Sequence, residues 1–296
     1  MHTVLAADVP HRPMGPPWFG SPITERKSLP VMHTHRHRPT SPTTSTAQIV
    51  ALGALTAALG AATMLAPWLL TGPGPDGMTT ALGSAFAHFW KSGSSTPPAD
   101  LTALVDGWRR FHIAKAVIGL ALLVVACRLT IALYRGTSES TPRRPLRALP
   151  AATVAAVALV IVAANIQGAI APLSSLLPFL SGSGDPTILA IAGRVHAELV
   201  APVGGEFSAP LQVLVDDFAR YHAAFAVIAG VLTVGVLGAT GVALRAAAVA
   251  PHGARTRPLA CAAALTVVAL TTGVVCAANI SSAAESAQAL AVFFGG

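Results

Sequence analysis

Five long apolar runs constrain this chain before any other feature does. They cover approximately residues 48–70, 111–134, 149–171, 222–244 and 259–280. Each is long enough to cross ~30 Å of hydrocarbon at ~1.5 Å per residue. Their Ala, Gly and Leu content favours helices whose small residues let backbones approach closely in lipid. A β-barrel would need alternating strands of about 10 residues, and the sequence has none. Charged residues make up only 10% of the chain, against roughly 25% in soluble domains. The expected fold is therefore an all-α polytopic membrane protein with five transmembrane helices.

Orientation follows from Lys and Arg in the connecting segments. With the N-terminus inside, the inner segments carry twelve, among them Arg36, Arg38, Arg135, Arg143, Arg144, Arg147, Arg245, Arg255 and Arg257. The outer segments carry five: Lys91, Arg109, Arg110, Arg194 and Arg220. Nine of the twelve acids fall outside. The formal charge of +7 thus reads as a basic inner rim facing anionic headgroups, and not as a nucleic-acid surface. The expected location is the cell membrane, with a cytoplasmic N-terminus and the C-terminus outside.

The first run is preceded by a 46-residue leader, too long for a signal peptide, and no twin arginine lies ahead of it, so it is expected to remain as a span. Residues 1–46 are rich in Pro, Thr, Ser, Arg and His without an apolar period, which predicts a disordered tail. Within it, HTHRHR at 33–38 reads as a solvated basic stretch. Cys127, Cys261 and Cys276 lie inside apolar runs, which argues against a disulfide framework.

The chain also repeats itself. LVDGWRRFHIAKAVI begins at Leu104 and LVDDFARYHAAFAVI at Leu214, with nine of fifteen positions identical. The same 110-residue offset aligns Leu70, Gly72 and Gly74 with Leu180, Gly182 and Gly184. It also aligns Asp106, Arg110, His112 and Arg135 with Asp216, Arg220, His222 and Arg245. This predicts an internal parallel duplication in which spans 1 and 2 form one unit and spans 3 and 4 the other. Span 5 resembles the start of a third unit, because Arg-Pro-Leu leads to Ala-Asn-Ile in spans 3 and 5, at Asn165 and Asn279. The chain divides accordingly into 1–46 (tail), 47–145 (first repeat), 146–257 (second repeat) and 258–296 (fifth span and a short outer tail).

The repeated polar residues are the candidate site. Asp106–Arg110 and Asp216–Arg220 have i,i+4 spacing, so each pair can bond on a helix, and an acid in a first turn suits the macrodipole. They read either as ion pairs at helix starts or as arginines held ready for an anionic ligand or lipid. His112 and His222 each precede an inner arginine by 23 residues, or ~34 Å of helix. Asn165 and Asn279 lie ~32 Å beyond Arg144 and Arg257 by the same rise. The four should share one layer near the outer boundary, where His-to-Asn bonds between helices are one reading.

The competing reading is a haem or metal site on His112 and His222. His88 and His196 are further imidazoles in the outer segments, and Glu198 is nearby in sequence, but the 110 offset does not align them. No C-x-x-C-H, H-E-x-x-H, Walker A, dinucleotide or G-x-S-x-G pattern is present. Lys115 is expected to snorkel to the outer surface. No acid sits mid-span, which counts against a proton-coupled carrier. Residues 78–91 and 186–204 mix apolar and polar positions and suit short interfacial helices.

Three readings of function follow. The first is a non-enzymatic membrane protein that binds a partner or small ligand at its outer face, with a membrane protein or a second copy of itself as candidate partner. The second is a haem- or metal-binding redox protein. The third is a transporter component.

Overall fold

The computed structural model describes residues 45–71, 75–135, 144–181 and 184–295. The expectations for residues 1–44, including the 33–38 fragment, and for the turns at Gly72, Gly74 and Gly182 fall outside them. The described residues are helical, with no strand among them. In chain order the helices are α1 (Thr46–Thr71), α2 (Pro75–Ser92), α3 (Ala99–Arg135), α4 (Arg144–Ile170), α5 (Pro172–Ser181), α6 (Pro186–Val200), α7 (Ala209–Val249), α8 (Thr256–Ala284) and α9 (Ser286–Gly295). Five of these, α1, α3, α4, α7 and α8, are long and apolar enough to cross a membrane.

Local chemistry accounts for where the helices start and stop. Ser45 and Gln48 form a reciprocal capping box ahead of α1: Ser45 N donates to Gln48 Oε1 at 3.0 Å and Gln48 N to Ser45 Oγ at 3.2 Å. This satisfies two of the donors a helix leaves unpaired at its start. Gly93 takes φ +63° just past the end of α2, the left-handed stop that glycine adopts without a Cβ penalty. The Asp185 carboxylate accepts from Thr187 N at 2.7 Å, and Pro186 occupies the first position of α6. Inside the spans, threonines return their hydroxyls to the preceding turn, as Thr56 does to Leu52 O and Thr63 to Leu59 O, so these hydroxyls are not left bare in hydrocarbon.

The spans pair as neighbours in sequence. The α3–α4 and α7–α8 hairpins make the most extensive contacts, α1 packs along α3, and α4 meets α7 over a shorter stretch. Each His-bearing helix therefore pairs chiefly with the Asn-bearing helix that follows it. The segment boundaries at 145/146 and 257/258 fall in the first turns of α4 and α8.

The main hydrophobic core does not lie between the spans. It is a cap at one end of the bundle, built from α2, α5, α6, α9 and the first turns of α3 and α7. Phe86, Phe89, Leu82, Leu101, Leu176, Ile191, Leu211 and Leu290 are almost entirely buried there, each contributing roughly 1.5–3 kcal/mol if its alternative is water. The spans instead expose Val117, Val231, Val234, Val242 and Val274, a surface that a bilayer covers and water does not.

The cap explains three departures from the sequence reading. First, α3 begins at Ala99 and α7 at Ala209, not at the onset of the apolar runs near residues 111 and 222. The added turns bury Leu101 and Trp108 on α3, and Leu211, Leu214, Val215 and Phe218 on α7, so cap packing extends each helix outward. Second, Asp106 and Asp216 consequently sit two turns inside their helices and not at helix starts; the acid in the first turn of α3 is Asp100. Third, the expected short tail after span 5 is α9, whose Leu290 and Ala291 enter the cap core.

Candidate functional site

His112 projects from α3 onto α4, where its Nδ1 lies 2.8 Å from Asn165 Oδ1. The Asn165 amide donates through Nδ2 to Ile161 O at 2.7 Å. Its oxygen must therefore accept, so His112 carries a proton on Nδ1 and, as a neutral ring, presents a lone pair at Nε2. Ser175 of α5 faces that nitrogen at 3.3 Å. The single Ser175 hydroxyl proton lies between this lone pair and Pro172 O at 2.9 Å, while the oxygen accepts Trp108 Nε1 at 2.8 Å. Trp108 and Phe111 also pack edge-on against the imidazole, at 4.9 and 5.7 Å between ring centres. Gly168, one turn beyond Asn165, makes room for the ring: a Cβ there would collide with it.

His222 and Asn279 form a like pair without the closure. His222 Nδ1 lies 2.9 Å from Asn279 Oδ1, and Asn279 Nδ2 donates to Val275 O at 2.9 Å, so the same tautomer is selected. Phe218 and Tyr221 flank the ring as Trp108 and Phe111 flank that of His112. Phe218 has no N–H, and ten residues past Asn279 the chain carries Ala289, where ten past Asn165 it carries Ser175. His222 Nε2 consequently receives no hydrogen bond among the described residues. Gln167 of α4 ties the two pairs together by donating to Tyr221 O at 3.1 Å.

The four charged residues do not form the expected pairs. Asp106 bonds Arg109 at 3.5 Å, and Arg220 bonds Asp217 at 2.9 Å; both are i,i+3 pairs, and neither i,i+4 pair forms. Asp216 instead accepts from Gln212 at 2.7 Å. The reason is that Asp217, not Asp216, faces the start of α5. It is 5% exposed and accepts from both Ser174 N and Ser174 Oγ at 2.8 Å. A carboxylate on the free amides of a helix start is favourable, and that anchor draws Arg220 to Asp217. Asp217 aligns with Gly107 under the 110 offset, so attention to matched positions passes over it. Ser174, Ser175 and Gln167 lie outside the matched stretch and carried no sequence signal; Trp108 lay within it.

Two clefts open in the cap. One, of about 400 Å³, lies between α2 and α3 and is lined by Met78, Ala81, Ser84, Ala85, Asp100, Leu104 and Arg110. The other, of about 280 Å³, lies where α3, α7 and the α4–α5 junction meet, and holds the Asp106–Arg109 and Asp217–Arg220 pairs. The remaining imidazoles among the described residues are dispersed. His88 contacts Asp100 at 3.3 Å on the surface, and His196 lies 2.9 Å from Ala291 O of α9. Glu198 accepts from Ser208 N ahead of α7. No three His, Cys, Asp or Glu side chains come together as a metal site among the described residues. Lys115 lies over the Phe111 ring, 5.4 Å from its centre, one turn toward the cap.

No known protein family, curated protein or solved structure matches the chain.

Proposed function

We propose that this is a non-enzymatic multi-pass protein of the cell membrane whose cap faces outward and binds a small ligand or partner. One observation carries the reading: the chain places its best-packed core in a cap beyond the spans, and that cap holds two clefts with charged linings. A bundle serving only as an anchor has no use for such a structure. The Lys/Arg asymmetry supports an outward cap, since Arg135, Arg245, Arg255 and Arg257 lie toward the other end. In this reading the His112–Asn165 and His222–Asn279 pairs hold the hairpins together beneath the cap.

Hydrogen–deuterium exchange of the full chain in nanodiscs tests the proposal. A lipid and metabolite extract of the source cells should protect α2, the first turns of α3 and α7, or α5 while leaving the spans unchanged. Exchange unaltered throughout the cap by any extract or fraction would sink it.

A second reading, a haem- or metal-binding redox protein using His112 and His222, draws on the unoccupied lone pair of His222 Nε2. It has less support, because His112 Nε2 already faces Ser175 and the other imidazoles among the described residues are dispersed. An absorbance spectrum with a Soret band, lost in His222→Gln, would replace the first reading with this one.

A further inference from the structure

We infer that the cleft between α2 and α3 takes a single-chain anionic amphiphile, a carboxylate or phosphate head on an acyl tail, with Arg110 binding the head; this rests on the outward-cap reading above. The first argument is which charges remain unspent. Arg109 is engaged by Asp106 at 3.5 Å. Within the cleft, the Asp100 carboxylate accepts from Leu101 N at 2.8 Å through one oxygen and contacts His88 at 3.3 Å through the other. Arg110 makes no ion pair or hydrogen bond among the described residues, and a guanidinium cannot shed its charge. Asp100 remains an anion but its oxygens are bonded, whereas the Arg110 donors are free, and their planar fork matches a carboxylate or a phosphate.

The second argument is the shape and lining of the space. Met78, Ala81, Ala85 and Leu104 supply an apolar wall, with Ser84 beside it. A volume of about 400 Å³ falls within the usual range for small-molecule sites, roughly 300–1,000 Å³. A free inorganic anion needs a charge but no such wall. The third argument is depth. Arg110 precedes Arg135 by twenty-five residues on one unbroken helix, or ~37 Å. With Arg135 at one headgroup layer of a bilayer whose hydrocarbon is ~30 Å thick, Arg110 stands at the other. The cleft thus begins at the headgroup layer and runs outward along α3 to Leu104 and Asp100, so its apolar wall shelters a tail drawn out of the hydrocarbon while Arg110 meets the head.

The test uses the full chain in phosphatidylcholine nanodiscs with a photoactivatable fatty acid and the matching fatty alcohol, cross-links being mapped by mass spectrometry. The acid should label residues 78–85 and 103–110 about tenfold more than the alcohol, as expected when a charge-assisted bond is present in one complex and absent in the other. Arg110→Gln should bring the acid down to the alcohol's level without shifting the melting temperature. Arg109→Gln, one residue away but paired to Asp106, should leave labelling unchanged. Dodecyl phosphate should compete, whereas acetate and inorganic phosphate at the same concentration should not.

Equal labelling by acid and alcohol, or labelling indifferent to Arg110→Gln, overturns the inference. An equal loss in Arg109→Gln would reduce the effect to general surface charge and also overturn it. Competition by acetate or phosphate alone would assign the site to a free anion and remove the amphiphile. Exchange protection of the cap by an extract, with no labelling by either probe, overturns this ligand class while leaving the outward-binding reading intact.

Discussion

His112 and Asn165, fifty-three residues apart in the chain, are joined by a 2.8 Å bond whose polarity is set by a second bond from the Asn165 amide to its own helix. Asn165 is 5% exposed, so removing it strands the His112 N–H where water does not reach. A stranded buried donor costs about 1–3 kcal/mol, more than the net value of the bond itself. Asn165→Leu should lower stability by that amount in a detergent unfolding titration. His222→Gln keeps a donor for Asn279 and should cost less than about 1 kcal/mol, whereas His222→Leu strands Asn279 and should cost about 1–3 kcal/mol. Equal effects of the two His222 variants would contradict the bond assignment.

Gly168 is where α4 yields space to an imidazole. Ala is the better helix former by about 1 kcal/mol, so propensity alone predicts that Gly168→Ala stabilises. The clash should win, since overpacking typically costs 1–3 kcal/mol and the ring is held by Asn165 and Ser175 on two sides. A raised melting temperature in Gly168→Ala would show that His112 is free to move.

Two neighbouring acids should behave differently. Asp217 is buried, with three hydrogen bonds to Ser174 and Arg220, and its removal leaves a bare helix start and an unpaired arginine. Arg220 is largely exposed and falls back on solvent, so the loss comes mainly from the Ser174 donors, at about 1–3 kcal/mol for Asp217→Ala. Asp216, although the repeat singles it out, is exposed and bonds only Gln212; Asp216→Ala should stay within about 0.5 kcal/mol. Thermal melts of the two variants side by side check this.

The proposed topology, taken from the Lys/Arg asymmetry of the connecting segments, puts the cap and the C-terminus outside. A membrane-impermeant maleimide should label Ser84→Cys in intact cells, and a reporter fused after Gly296 should be active only outside. Cytoplasmic activity of that fusion would reverse the topology and, with it, the proposed outward binding.

The sequence by itself determined the spans, because hydrocarbon admits only backbone that satisfies its own hydrogen bonds, and twenty apolar residues express that requirement locally. It also determined which residue types meet at the seam. A His 23 residues from one arginine and an Asn 21 or 22 residues from another are a matter of rise per residue, and helix geometry converts spacing into depth. Which partners they take was a tertiary decision. Asp217 displaced Asp216 because α5 aims its first amides at one face of α7, and two adjacent residues on a helix point about 100° apart. The long extensions of α3 and α7, the docking of α9 and the closing of His112 by Ser175 arose the same way, from packing among segments too short to announce themselves by periodicity. Those same contacts left Arg110 without a partner among the described residues of its cleft, a property of the assembled cap that no stretch of the chain carries alone.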